Sequence, residues 1–171
     1  MSVDTARRTD FADIRVGDLL PKRTWTVSKA DIESFGDFLY PATPDNPKRL
    51  GNPHMDEEYA RKHIYGGLFV DGNQTVACLC QLATDWLPPG ALVSGFSDVD
   101  IKLPNPIRVA DVVTFSGEVA STTSREGRDY VTLQVLARNQ AGKVVAAGTI
   151  ATCVPRAGSE SGTRSGVFAR Q

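Results

Sequence analysis

From Asn52 to Asn73 the chain reads NPHMDEEYARKHIYGGLFVDGN, a stretch that holds both of its histidines, His54 and His63. His54 follows a proline-rich loop and precedes a helix-like segment, a place from which a side chain can face a cleft. A histidine within reach of a carboxylate is the usual equipment for general acid–base chemistry. Asp45 is the only carboxylate between the first helix and His54, Asp56 opens the segment after it, and Asp71 stands just before Gly72 at the start of the next helix. Each also has a plainer reading. Asp45 lies in Asp-Asn-Pro, which is strong turn chemistry, Asp71 fits a helix N-cap, and Gly72 suits close packing of a helix start. His63 reads as a solvated or boundary residue of the short helix.

The rest of the chain must supply a frame for these groups. A length of 171 residues suits one well-packed domain. Hydrophobic residues at 41% and charged residues at 23% place it among globular proteins. A formal charge of -1 provides no basic field for nucleic acid. No apolar run approaches the roughly 18 residues of a membrane span, and MSVDTARRTD has no apolar core of a secretory signal. Cys78, Cys80 and Cys153 lack both a disulfide framework and zinc-ligand spacing, and read as reduced thiols in a core. A cytoplasmic protein is expected, with no metal and no cofactor.

Residues 1–10 read as a flexible arm and residues 156–171, RAGSESGTRSGVFARQ, as a flexible tail. One domain is expected over residues 11–155. TWTVS predicts a first strand. Ser28 then fits an N-cap with Asp31 completing a capping box. Ile32, Phe35, Phe38 and Leu39 give the first helix an apolar face, and Asp56 is placed to cap DEEYARKH. In DGNQTVACLCQLATDW the residues Val76, Leu79, Cys80, Ala83 and Leu87 share one helical face, ended by Pro88, Pro89 and Gly90. Period-two runs follow: Val99 to Leu103, Val113 to Val119, Val131 to Ala137, and Lys143 to Val154. REGRD and NQAGK mark hairpin turns, and Asp98 and Asp100 read as the polar face of a strand. One long helix followed by antiparallel strands is an α+β layout, the sheet wrapped around that helix.

This order resembles the hotdog fold. With FADIRVGDLLP, VSKADIESF, NPHMDEEYA, YGGLFVDGN and IKLPNPIRVADVV in sequence, it resembles more narrowly the MaoC-like (R)-specific enoyl-CoA hydratase/dehydratase family. The resemblance spans about Phe11 to Pro155. It implies that His54 is the family's catalytic histidine and that Gly72 supplies the backbone N–H that polarises the thioester carbonyl. The separation of these two residues agrees with the family's. Two departures accompany the match. The family's catalytic Asp, counted back from His54, falls on Arg49; counted forward from the first helix, it falls on Tyr40 or Pro41. The loop is longer here, and Asp45 is the candidate replacement. Asp71 stands where the family carries a histidine, and with Asn52 it is assigned to substrate binding.

What the resemblance implies is the interconversion of 2-enoyl and 3-hydroxyacyl thioesters of CoA or an acyl-carrier protein. A base activates water, an acid delivers a proton, and a donor holds the developing enolate oxygen; such a donor contributes about 2.7–4 kcal/mol. Arg108 and Lys102 are candidates for the CoA phosphates; Leu68, Phe69 and Phe96 are candidates for the acyl tunnel. The alternatives are a non-catalytic hotdog subunit of a heteromeric dehydratase and an acyl-CoA thioesterase. A homodimer is expected, with a higher oligomer or heterodimer as variants.

Overall fold

The computed structural model describes residues 6–62 and 65–154. His63 and the tail expected at 156–171 lie outside them. A 3-10 turn at Phe11–Asp13 leads to β1 (Arg23–Thr26), α1 (Lys29–Leu39), α2 (Glu57–Lys62), α3 (Gly72–Trp86), β2 (Asp98–Lys102), β3 (Val112–Arg125), β4 (Arg128–Arg138) and β5 (Val144–Val154). The five strands form one antiparallel sheet in the order β1-β3-β4-β5-β2.

The period-two runs become strands because one face of each is buried. Val113, Phe115 and Val119 of β3, Val131, Leu133, Val135 and Ala137 of β4, and Ile150 of β5 are all in the core. They close over Leu79, Leu82, Ala83 and Trp86 of α3, each at most 1% exposed. Emptying a site like that of Trp86 costs about 3–5 kcal/mol, so α3 is held firmly in the sheet. The buried stripe is turned slightly from the expected one: Leu82 and Trp86 are inside, while Val76 and Cys80 are only half-buried. Burial raises the pKa of the Cys78 and Cys80 thiols, which keeps both protonated.

Two hairpins place the long strands. Glu126 and Gly127, both at positive φ, turn β3 into β4, and Gly142 at φ 75° closes the turn into β5. The capping box of α1 forms as its sequence predicts, with the Asp31 N–H donating to Ser28 Oγ at 3.1 Å and the Ser28 N–H to the Asp31 carboxylate at 2.8 Å. Its expected apolar face does not close, however. Ile32 is buried but Phe38 is 82% exposed, because among the described residues no element covers the end of α1.

The amino-terminal arm also departs from expectation. The Arg7 guanidinium donates to the Thr84 and Leu87 carbonyls, and the Arg8 N–H donates to the Trp86 carbonyl at 2.8 Å. Arg8 further stacks over the Trp86 ring and pairs with Asp18. Arg7 and Arg8 are therefore tied to the end of α3, where free carbonyls and the helix dipole favour cations.

Strand β2 is an edge. Its partner β5 carries Gly148 opposite Ile101, and a Cβ at Gly148 would collide with the Asp100 carbonyl oxygen. Backbone cannot yield as a side-chain end does. Gly148→Ala is expected to destabilise the fold by about 1–3 kcal/mol, read as a lowered midpoint in urea with the m-value unchanged. A variant with wild-type stability would show that the two strands separate without cost.

Candidate functional site

The loop before His54 is built from side-chain-to-backbone hydrogen bonds. Asn46 Oδ1 accepts from the Leu50 N–H at 2.7 Å while its amide donates to the Leu50 carbonyl. Asn52 Oδ1 accepts from the His54 N–H at 2.8 Å, and the Asn52 carbonyl accepts from the Met55 and Asp56 N–H groups. Such Asx turns fix a chain too polar to pack. Asn52, expected to bind substrate, thus has its side-chain oxygen engaged in presenting His54. Asp56 caps α2, accepting from the Tyr59 and Gly51 N–H groups, and these bonds lower its pKa.

The other wall is the segment before α3. Phe69 bridges to Arg108, and the Val70 N–H donates to the Ile107 carbonyl at 2.8 Å. This pins the Phe69 carbonyl and sends Asp71 into the helix start. Asp71 is the N-cap of α3, with Oδ1 accepting from the Asn73 N–H at 2.7 Å.

His54 joins the two walls. Its Nδ1 lies 2.8 Å from the Phe69 carbonyl oxygen. A carbonyl only accepts, so Nδ1 carries the proton and donates it. Nε2 lies 3.4 Å from Asp71 Oδ2, with only 13% and 8% of the two side chains exposed. The same Oδ2 accepts from the Tyr40 hydroxyl at 2.6 Å. The Tyr40 and His54 rings lie nearly parallel with centroids 6.0 Å apart, and Phe69 meets His54 edge-on at 4.5 Å. The Asp71 carboxylate accepting its proton is the main cause that pushes the Tyr40 phenol up to about 12.

The carboxylate beside His54 is therefore Asp71. Asp45 is exposed and makes no hydrogen bond or ion pair among the described residues, so the structure does not bring it to the histidine. Arg49, where the family's Asp would stand, pairs with Asp37 of α1. Asp45 sits in a run of turns whose polar backbone keeps it at the surface; Asp71 is drawn inward by the helix it caps. Tyr40 was legible only as a position where the family's Asp was missing.

Gly72, the first residue of α3, lines a cavity of about 140 Å³ with Phe69, Thr75, Leu103, Asn105 and Ile107. A Cβ at Gly72 would press on the Leu103 side chain. Of the other tunnel candidates, Leu68 is buried, while Phe96 is exposed beneath the Arg128 guanidinium. Arg108 shares a surface cleft of about 430 Å³ with Lys29 and Arg61. Lys102 instead pairs with its neighbour Asp100.

No family model and no curated protein matches the chain. Solved structures do. The chain is similar to the MaoC-like dehydratase from Rhodospirillum rubrum at 29% identity, covering 85% of this chain and 96% of that one with a TM-score of 0.66. The (R)-hydratase PhaJ1 from Pseudomonas aeruginosa shares the fold at 20% identity, 86% coverage of each chain and a TM-score of 0.66. The ChsH1-ChsH2 complex from Mycobacterium tuberculosis shares it at 23% identity, 82% and 98% coverage and a TM-score of 0.66.

The coupling of Tyr40 to Asp71 is measurable. In the folded protein Tyr40 should ionise near pH 12, against about 10 for a free phenol. Since the folded pKa is the raised one, the stabilisation is complete below pH 10 and is lost as pH rises towards 12. A tyrosinate absorbance titration of wild type against Tyr40→Phe isolates this group, and Asp71→Asn should bring its midpoint down. A Tyr40 midpoint unmoved in Asp71→Asn would contradict the hydrogen bond.

Proposed function

The chain belongs to the MaoC-like hotdog family, and from that premise we propose that it is a hydro-lyase interconverting 2-enoyl and 3-hydroxyacyl thioesters. The observation that carries this reading is His54 itself. Its Nδ1–H is committed to a backbone carbonyl, so in the neutral ring Nε2 is an acceptor beside a buried carboxylate, next to the first residue of α3. Nε2 and a carboxylate oxygen can together hold and activate one water. The first-turn N–H of Gly72, at the positive end of the α3 dipole, suits the thioester oxygen on which negative charge develops.

Water adds its oxygen to Cβ, the double-bond electrons move to the thioester oxygen near Gly72, and Cα takes a proton. The reverse sequence is dehydration. Lys29, Arg61 and Arg108 line one cleft, but Glu57 in the same cleft pairs with Lys29 and Arg61, so the cleft is not a purely cationic seat for CoA phosphates.

The expected homodimer has support in the edge of β2, which no strand among the described residues covers; Val99 there is 40% exposed and Leu103, just past the strand, 44%. Since Leu103 lines the Gly72 cavity, a partner at this edge would help to enclose it. The heteromeric reading is favoured by the missing loop carboxylate at Arg49.

The test is the loss of enone absorbance when the purified chain meets a panel of 2-enoyl-CoA thioesters. Turnover is expected, with His54→Ala lowering kcat by about 100-fold or more and Asp45→Ala matching wild type. Turnover only after adding a partner chain would favour the non-catalytic subunit, and release of free CoA thiol the thioesterase. Sedimentation should find a dimer; a stable monomer would count against the β2 interface.

A further inference from the structure

We infer that the catalytic carboxylate of this site is Asp71, supplied by the N-cap of α3 in place of the loop, and that Tyr40 is its positioning residue. The assignment rests on the hydro-lyase reading of the same site.

The loop offers no carboxylate to His54. Asp45 is exposed and apart from it, Asp37 is held by Arg49, and both oxygens of Asp56 accept backbone N–H groups. Asp71 alone, among the described residues, brings a carboxylate within 4 Å of the imidazole. When the ring is neutral its one proton sits on Nδ1, so Nε2 is an acceptor, and Asp71 Oδ2 is a second acceptor 3.4 Å away. Two acceptors so close cannot bond to each other. They can both accept from one molecule with two hydrogens, and a water at the apex of the triangle satisfies both at ordinary hydrogen-bond length.

The Asp71 side chain is also matched by donors inside the fold. Its Oδ1 accepts the Asn73 N–H and its Oδ2 the Tyr40 hydroxyl, two donors that offset the loss of solvent. Because the Tyr40 phenol holds its proton up to about 12, it remains a donor across the physiological range. Its ring, nearly parallel to that of His54, meets the histidine and the carboxylate from one side. Tyr40 thus occupies a chain position where the family's Asp is looked for, and serves a carboxylate that arrives from elsewhere.

The step balances within these groups. Water donates one hydrogen bond to His54 Nε2, which orients it, and gives its other proton to Asp71 Oδ2 as its oxygen bonds to Cβ. The electron pair of the double bond shifts to form an enolate held near the Gly72 N–H. The proton on Oδ2 then passes to Cα, the thioester carbonyl reforms, and both side chains return to their starting states. The net change is the addition of H and OH from one water.

The experiment is steady-state kinetics on the 2-enoyl-CoA that the wild type turns over best. Asp71→Asn keeps an acceptor for the Asn73 N–H, and Asp71→Ser does so with a different side chain, so one of the two should retain the wild-type melting temperature. Either folded variant is expected to lose about 100-fold or more in kcat with KM changed by less than about threefold. Tyr40→Phe should lower kcat by about 10-fold, again at nearly constant KM. A purely structural Tyr40 would lower the melting temperature and leave kcat per folded molecule intact. A folded Asp71 variant with kcat within about threefold of an active wild type would overturn the assignment and leave the hydro-lyase reading standing. A wild type inert towards every enoyl thioester would sink that reading, and this assignment with it.

Discussion

A helix buried along one face and gripped at one end has little freedom to slide or rotate, and in this protein much of the site's order derives from that constraint. Leu79, Leu82, Ala83 and Trp86 fix α3 against the sheet, and Arg7 and Arg8 hold its last carbonyls. Its first turn is held separately, by the Asp71 cap and by the Val70 N–H donating to the Ile107 carbonyl just before it. Asp71 and Gly72 occupy that turn. A donor to a developing oxyanion is useful only if it need not reorganise as charge appears, and a helix start held in this way meets that requirement.

The loop carrying His54 is ordered in a different way. It has no apolar face to bury, and it is organised by Asn46 and Asn52 closing turns on their own backbone. Its link to the anchored part is the hydrogen bond from His54 Nδ1 to the Phe69 carbonyl. That bond does two jobs. It docks the loop on the segment leading into α3, and it selects the tautomer of the neutral ring, in which the nitrogen facing Asp71 has the free lone pair.

The parts of this arrangement that were legible in the sequence are those governed by local rules. Alternation marked β3, β4 and β5, and the Ser28–Asp31 capping box opened α1 as read, whereas the link between His54 and Gly72 came from the family resemblance. Phe38 shows the limit of such patterns, since an apolar helical face is buried only where another element covers it. The pairing of carboxylate with histidine was not legible for a related reason. Asp45 is near His54 along the chain and Asp71 is not, yet proximity in space depends on how the segment before α3 pairs with residues 107–108. Turn chemistry keeps Asp45 outside; N-cap geometry brings Asp71 inside. Both tendencies were visible residue by residue, but their consequence for the site appears only once the two walls meet.

That Asp71 and Gly72 are consecutive residues of one helix end has an electrostatic consequence. On the assignment of Asp71 as base, the anion next to α3 is first its carboxylate and then, after it takes the proton from water, the enolate oxygen. The negative charge changes its atom but stays beside the same helix terminus. The positive end of the helix dipole therefore faces one unit of negative charge before the step and one after it. The surrounding dipoles need not adjust to a new charge, only to its displacement across neighbouring residues, and bulk salt has little to screen in a centre whose net charge is constant.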